Sequence, residues 1–152
     1  MEHEEYMRQA LELARLAMAE GEVPVGCVIV RDGAVVGRGR NRRETAQTAL
    51  GHAELEAIAQ ACRTLGGWRL AGCALYVTLE PCPMCAGAIV NARIPAVYYG
   101  AKDDKAGCCG SVLNLFEERF NHHPAFTAGC WRRSAPLCSR NFFNLCADLT
   151  LF

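Results

Sequence analysis

Apolar residues recur every three or four positions from His3 to Glu20 (Tyr6, Met7, Ala10, Leu11, Ala14, Ala17, Met18), which predicts an amphipathic helix ended by Gly21. Two β-rich runs, VPVGCVIV and AVVGRG, then flank Arg31-Asp32-Gly33, the pattern of a hairpin. Asn41 to Leu50 is polar and reads as a loop. From His52 to Leu65, a second helical stripe of Leu55, Ile58, Ala59, Cys62 and Leu65 is closed by Gly66-Gly67. Ala74 to Leu79 (ALYVTL) is a short apolar strand, buried on both faces if the sheet is parallel there. Pro81 leads into a helix running through Asn91, and AVYYG (Ala96 to Gly100) is another strand. After a charged loop from Ala101 to Gly110, Ser111 to Glu118 is expected as a short helix and Ala125 to Gly129 as a last strand. Ser134 to about Leu145 is expected as a tail helix, delayed by Pro136. Helix, hairpin, helix, strand, helix, strand describes one α/β domain over 1–152, with a mixed sheet between two helical layers.

Composition changes this picture little. The chain has 152 residues, 51% of them hydrophobic and 21% charged, the profile of one globular domain with a core of its own. No apolar run approaches the roughly 18 residues of a membrane span, and the opening MEHEEYMRQ lacks the pattern of a secretory signal. The expected location is therefore the cytoplasm. A reducing cytosol keeps the ten cysteines as thiols, so the scattered Cys27, Cys62, Cys73, Cys130, Cys138 and Cys146 read as small buried hydrophobes. The formal net charge of zero conceals −4 in residues 1–22 and +4 in the remainder. A mildly basic body tolerates nucleic acid without requiring it.

The chemistry lies in GHAELEAI (Gly51 to Ile58) and LEPCPMCAGAI (Leu79 to Ile89). Cys82 and Cys85 are three apart, so at the first turn of a helix both sulfurs face one side, where the helix dipole favours thiolates. Two thiolates and the imidazole of His52 make a three-ligand tetrahedral zinc site. A catalytic zinc keeps its fourth position for water, whereas a structural zinc fills it with protein. Glu54, two residues after His52, is badly spaced as a further ligand but well placed to stand beside a zinc water. Alone, the CxxC could be a redox dithiol and the HxE a surface feature. Their joint occurrence at two helix starts, the second straight after an apolar strand, is what favours a metal site.

The pattern HAE…PCPMC resembles the cytidine/deoxycytidylate deaminase superfamily. Within it, the chain resembles the bacterial tRNA-specific adenosine deaminases from about residue 3 to Phe143. The similarity includes EVPVG (Glu22 to Gly26), GRGRN (Gly37 to Asn41), LYVTLEPCPMCAGAI (Leu75 to Ile89), GAKDDKAG (Gly100 to Gly107), FNHHP (Phe120 to Pro124) and Phe142-Phe143. The resemblance implies a three-layer cytidine-deaminase-like fold with a central five-stranded mixed sheet. It implies one Zn2+ per subunit on His52, Cys82 and Cys85, Glu54 as the proton-transfer group, and a homodimer. The implied reaction is hydrolytic deamination of the wobble adenosine in the anticodon stem-loop of an arginine tRNA. Asn41 would hydrogen-bond the purine, Pro24, Val25 and Leu79 would wall the base, and backbone amides near Pro81 would shape the pocket. Asp103 would lie near a neighbouring ribose and Phe142 near the bound loop. Arg38, Arg40, Arg42, Arg43, Lys102, Lys105, Arg132, Arg133 and Arg140 are candidates to meet phosphates.

Four departures from that family stand out: the adjacent Cys108-Cys109, Pro136 where the family's final helix would already be under way, His123, and an apolar ending, NLCADLTLF, where the family's tail is typically basic. Two other functions remain open at the level of sequence. One is a deaminase of a free nucleobase or nucleoside of the guanine or cytosine type. The other is a non-catalytic zinc scaffold in which Cys108 or Cys109 supplies a fourth ligand.

Overall fold

The computed structural model describes residues 2–129. Helix α1 (Glu2–Ala19) precedes strands β1 (Gly26–Arg31) and β2 (Ala34–Arg40), helix α2 (Ala53–Leu65), strand β3 (Cys73–Leu79), helix α3 (Pro83–Asn91), strand β4 (Ala96–Ala101), a 3₁₀ turn at Leu115–Glu117 and strand β5 (Ala125–Ala128). The five strands form one sheet in the order β2-β1-β3-β4-β5. β1 is antiparallel to both β2 and β3, while β3, β4 and β5 run parallel, so the sheet is mixed as expected. The β1–β2 turn places Asp32 at φ 50° and Gly33 at φ 77°, the left-handed pair that a tight hairpin needs.

The sheet is covered on both faces, which explains its nearly continuous apolar strands. Val28, Val30 and Tyr76 meet Met7 and Ala10 of α1 on one side. Cys27, Ile29, Leu75, Val77 and Val97 meet α2 and α3 on the other. The α2 face against the sheet differs from the sequence expectation. Ala53, Ala57 and Ala61 are fully buried, whereas Leu55, Ile58, Cys62 and Leu65 are half-buried at the border and Ala59 is exposed. The reason is backbone proximity. A Cβ on Gly39 would strike the Ala53 carbonyl oxygen, and one on Gly37 the Ala57 carbonyl oxygen. The helix sits so close to β2 that only alanines fit between. Gly26 admits α1 in the same way, against Ala10 and Ala14.

The expected short helix at Ser111–Glu118 is only the three-residue turn Leu115–Glu117. The preceding residues are diverted by a bridge between Cys109 and Asn114, and the Asn114 side chain then accepts from Phe116 N (3.1 Å). The last strand forms where expected, parallel to β4. The tail helix expected from Ser134 lies outside the described residues. No helix among the described residues is long and apolar enough to cross a membrane.

Candidate active site

Two helix N-termini meet at one end of the sheet. The polar loop after β2 delivers His52 as the N-cap of α2, and the turn after β3 delivers Cys82 as the N-cap of α3, with Pro83 first in the helix. Neither side chain makes the usual cap hydrogen bond. They face one another instead: His52 Nδ1 lies 3.5 Å from Cys82 Sγ and 3.4 Å from Cys85 Sγ. The three donor atoms fall within 4.8 Å of each other, so this cluster could hold a metal ion. It is the group of metal-ligating side chains found among the described residues. Cys108 and Cys109 are outside it, which argues against a fourth ligand from either, and both are buried.

The electrostatics of the cluster follow from its contacts. The Cys82 thiol is drawn down to about 4, first by the hydrogen bond from Cys85 and then by His52, against the opposing effect of burial. The same bond, with burial, pushes Cys85 up. His52 is raised, chiefly by its contact with Cys82. Glu54 lies in the first turn of α2 with 4% exposure, and desolvation lifts its carboxyl to about 7. A buried carboxyl that titrates near neutrality can accept a proton and return it.

The other expected site residues gather at the same sheet end through strand register. Asn41 follows β2 and is buried; its N–H donates to Val25 O (3.0 Å), which joins it to the Pro24-Val25 segment leading into β1. Asn41 Oδ1 accepts from Arg43 N (3.0 Å). Leu79 ends β3 opposite Ala101 of β4, and Pro81 follows in the turn to Cys82. Asp103 comes just after β4, half-buried, but its Oδ1 accepts from Lys105 N and Ala106 N (3.0 and 3.2 Å) and so shapes its own loop. Phe142 lies outside the described residues. Of the basic candidates, Arg40 is paired with Glu20 (2.7 Å) and Arg42 with Glu56 (3.5 Å), Arg38, Arg43, Lys102 and Lys105 are exposed, and Arg132, Arg133 and Arg140 lie outside the described residues.

Two residues that sequence reasoning left without a role brace this site. Glu22 is buried and accepts from Glu44 N (3.2 Å), Thr45 N (2.6 Å) and Thr45 Oγ1 (2.6 Å), which fastens the loop that leads to His52. Glu80 is buried immediately before the cysteine turn. The signal for Glu80 was legible as a carboxylate set between Leu79 and Pro81 in an otherwise apolar stretch.

Comparison with known proteins agrees with this geometry. A family model for MafB19-like deaminases matches residues 1–133. The chain is 51% identical over 125 residues to a tRNA-specific adenosine deaminase of Bacillus subtilis, covering 82% of this chain and 78% of that protein. A solved structure from work on A-to-I editing by tRNA:A34 deaminases superposes with a TM-score of 0.79 at 46% identity, over 82% of this chain and 91% of the other. A guanine deaminase structure from Bacillus subtilis is more distant, at 32% identity and a TM-score of 0.66 over 97% and 95% of the two chains. The chain belongs to the MafB19-like deaminase family and, within it, to the tRNA-specific adenosine deaminases.

Proposed function

We propose that the protein hydrolyses adenosine to inosine at the wobble position of a tRNA, with one Zn2+ per subunit on His52, Cys82 and Cys85. The observation that carries this reading is the His/Cys/Cys cluster with a buried carboxylate, Glu54, at its side. A tetrahedral zinc with bonds of about 2.0 Å to nitrogen and 2.3 Å to sulfur needs N···S separations of roughly 3.5 Å. The observed 3.5 and 3.4 Å fit that requirement. When bound there, zinc supplies the Lewis acidity that makes water a nucleophile at neutral pH.

Glu54 takes a proton from the water that adds to C6 of the adenine ring. It passes that proton to the ring nitrogen, then takes the remaining proton from the hydroxyl added at C6 and gives it to the amine as the C–N bond breaks, so that adenosine and water become inosine and ammonia. Burial of Glu54 suits this shuttle, because desolvation favours its protonated form and so lets it carry a proton between the two transfers. Asn41 hydrogen-bonds the purine, Pro24, Val25 and Leu79 wall it, and the turn at Pro81 closes the pocket. An anticodon loop presents unstacked bases, which removes most of the cost of extracting the target nucleotide. Arg38, Arg43, Lys102 and Lys105 are exposed cations suited to its phosphates, while Arg40 and Arg42 are already engaged by carboxylates. An arginine tRNA as substrate, a homodimeric assembly and a cytosolic setting complete the proposal. Free thiols at all the described cysteines suit that setting.

The test is to incubate the zinc-loaded protein with an arginine tRNA anticodon stem-loop, with guanine and with cytosine, beside Glu54→Ala. Inosine from the RNA, ammonia from neither base, and at least a roughly hundredfold loss in Glu54→Ala with zinc retained are expected. Ammonia from guanine without inosine in the RNA would replace this reading with the free-base one.

A further inference from the structure

Glu80 stands between β3 and the Pro81-Cys82 turn with 2% of its surface exposed, a rare state for a carboxylate. Its Oε1 accepts from Ser111 Oγ (2.7 Å). Its Oε2 has no hydrogen-bond partner among the described residues and lies directly over Gly107, where any Cβ would strike it. The Tyr99 phenol, which donates to Cys109 O (3.2 Å), is raised by burial and by the nearby Glu80 carboxylate. Two backbone hydrogen bonds link the same parts of the chain: Glu80 N to Ala101 O and Cys108 N to Pro81 O, each 2.8 Å. The segment from Gly107 to Ser111 therefore wraps around one buried side chain that is itself joined to the cysteine turn.

We propose that Glu80 is a positioning residue: through Ser111 and its close approach to Gly107 it clamps the segment after β4 onto the metal-ligand turn, and so holds Lys102 and Asp103 at the mouth of the site. Backbone hydrogen bonds hold the segment's own turns (Gly110 N to Leu113 O and Val112 N to Gly107 O, each 2.9 Å; Leu115 N to Cys108 O, 3.0 Å). The buried carboxylate adds the side-chain contact that ties those turns to the residue just before the cysteine turn. Its kinetic consequence rests on the deaminase reading above, whereas its effect on the segment does not.

The experiment is amide hydrogen exchange on the zinc-loaded protein, comparing wild type with Glu80→Ala, Ser111→Ala, the double variant and Glu80→Gln. Kinetics on the anticodon stem-loop are measured for the same set. A hydrogen bond to a charged group corresponds to roughly a tenfold or larger change in a local opening equilibrium. The amides of Cys108, Gly110, Val112 and Leu115 should exchange about tenfold faster in Glu80→Ala, with those of Ile29 and Ala57 unchanged. Ser111→Ala should show a smaller change at the same amides, and the double variant should be no worse than Glu80→Ala. Glu80→Gln, which keeps an acceptor for Ser111, should restore most of the protection. On the deaminase reading, which sets Lys102 and Asp103 against the RNA rather than the reacting atoms, KM for the RNA should rise while kcat stays within about threefold.

Faster exchange throughout the molecule, a silent Ser111→Ala, or a fall in kcat at unchanged KM would each overturn the proposal. Should Glu80→Ala fail to fold, Ser111→Ala and Glu80→Gln decide it. Wild-type protein inactive on RNA would remove the deaminase reading while the exchange result still judged the clamp.

Discussion

Replacing Gly39 by alanine tests whether the metal cluster depends on how closely α2 lies against β2. A Cβ at position 39 would sit 2.7 Å from Ala57 N and 2.9 Å from Glu56 Cβ, and would strike the Ala53 carbonyl oxygen. Ordinary contact begins at 3.4 Å, so the helix must retreat by about 0.7 Å from Ala57 N and about 0.5 Å from Glu56 Cβ, and farther at Ala53. All three are backbone or near-backbone groups that cannot rotate away. Ala53 directly follows His52, so the displacement is greatest where the imidazole must hold its place relative to Cys82 and Cys85. Metal–ligand distances tolerate only about 0.2 Å. The expected cost is about 2–3 kcal/mol of stability, seen as a fall of roughly 6–10 °C in Tm. Zinc affinity, measured by chelator competition, should fall roughly tenfold or more. Gly37→Ala meets Ala57 and Ala61 farther along α2 and should lower Tm while largely sparing zinc affinity. Gly87→Ala faces open space on α3 and should lower neither. A Gly39→Ala protein with wild-type Tm and wild-type zinc affinity would refute the reasoning.

Glu22→Gln should lower Tm at pH 7, because the Thr45 hydrogen bonds hold the Glu22 carboxyl below its ordinary value. That stability is present above the ordinary carboxylate range, near 4.3, and is lost as pH falls through the lowered folded value. The Tm gap between variant and wild type should therefore close on acidification below about pH 4, and an equal gap at pH 3.5 and pH 7 would contradict it. Cys108→Ala and Cys109→Ala should each retain one metal per chain by elemental analysis; loss of the ion in either would revive a closed, four-ligand site. Chelating the metal should lower Tm by mass action, and restoring zinc should recover it; a Tm indifferent to chelation would argue against a bound ion.

Much of the fold was legible because its signals are local. The three-and-four spacing of α1, the Asp-Gly turn and the apolar run of β3 each depend on residues close in sequence. The spacing of Cys82 and Cys85, and of His52 and Glu54, likewise announced metal and proton chemistry, because ligand type and helix position are properties of a short segment. The tertiary structure decided what depends on distant segments meeting. Glycines in β2 turned the buried face of α2 to its alanines, which helical periodicity in α2 alone could not reveal. Glu20 and Glu56 pair with Arg40 and Arg42, so a row of basic residues in the sequence became a shorter set of candidates unpaired among the described residues, at Arg38, Arg43 and Lys102. Glu22, an ordinary surface acid by its sequence, and Glu80, marked only by its apolar neighbours, became buried acceptors because loops far away in the chain supplied their donors. Sequence carries the chemistry of a side chain, but its partners, and hence whether it reacts, binds or braces, depend on non-local packing.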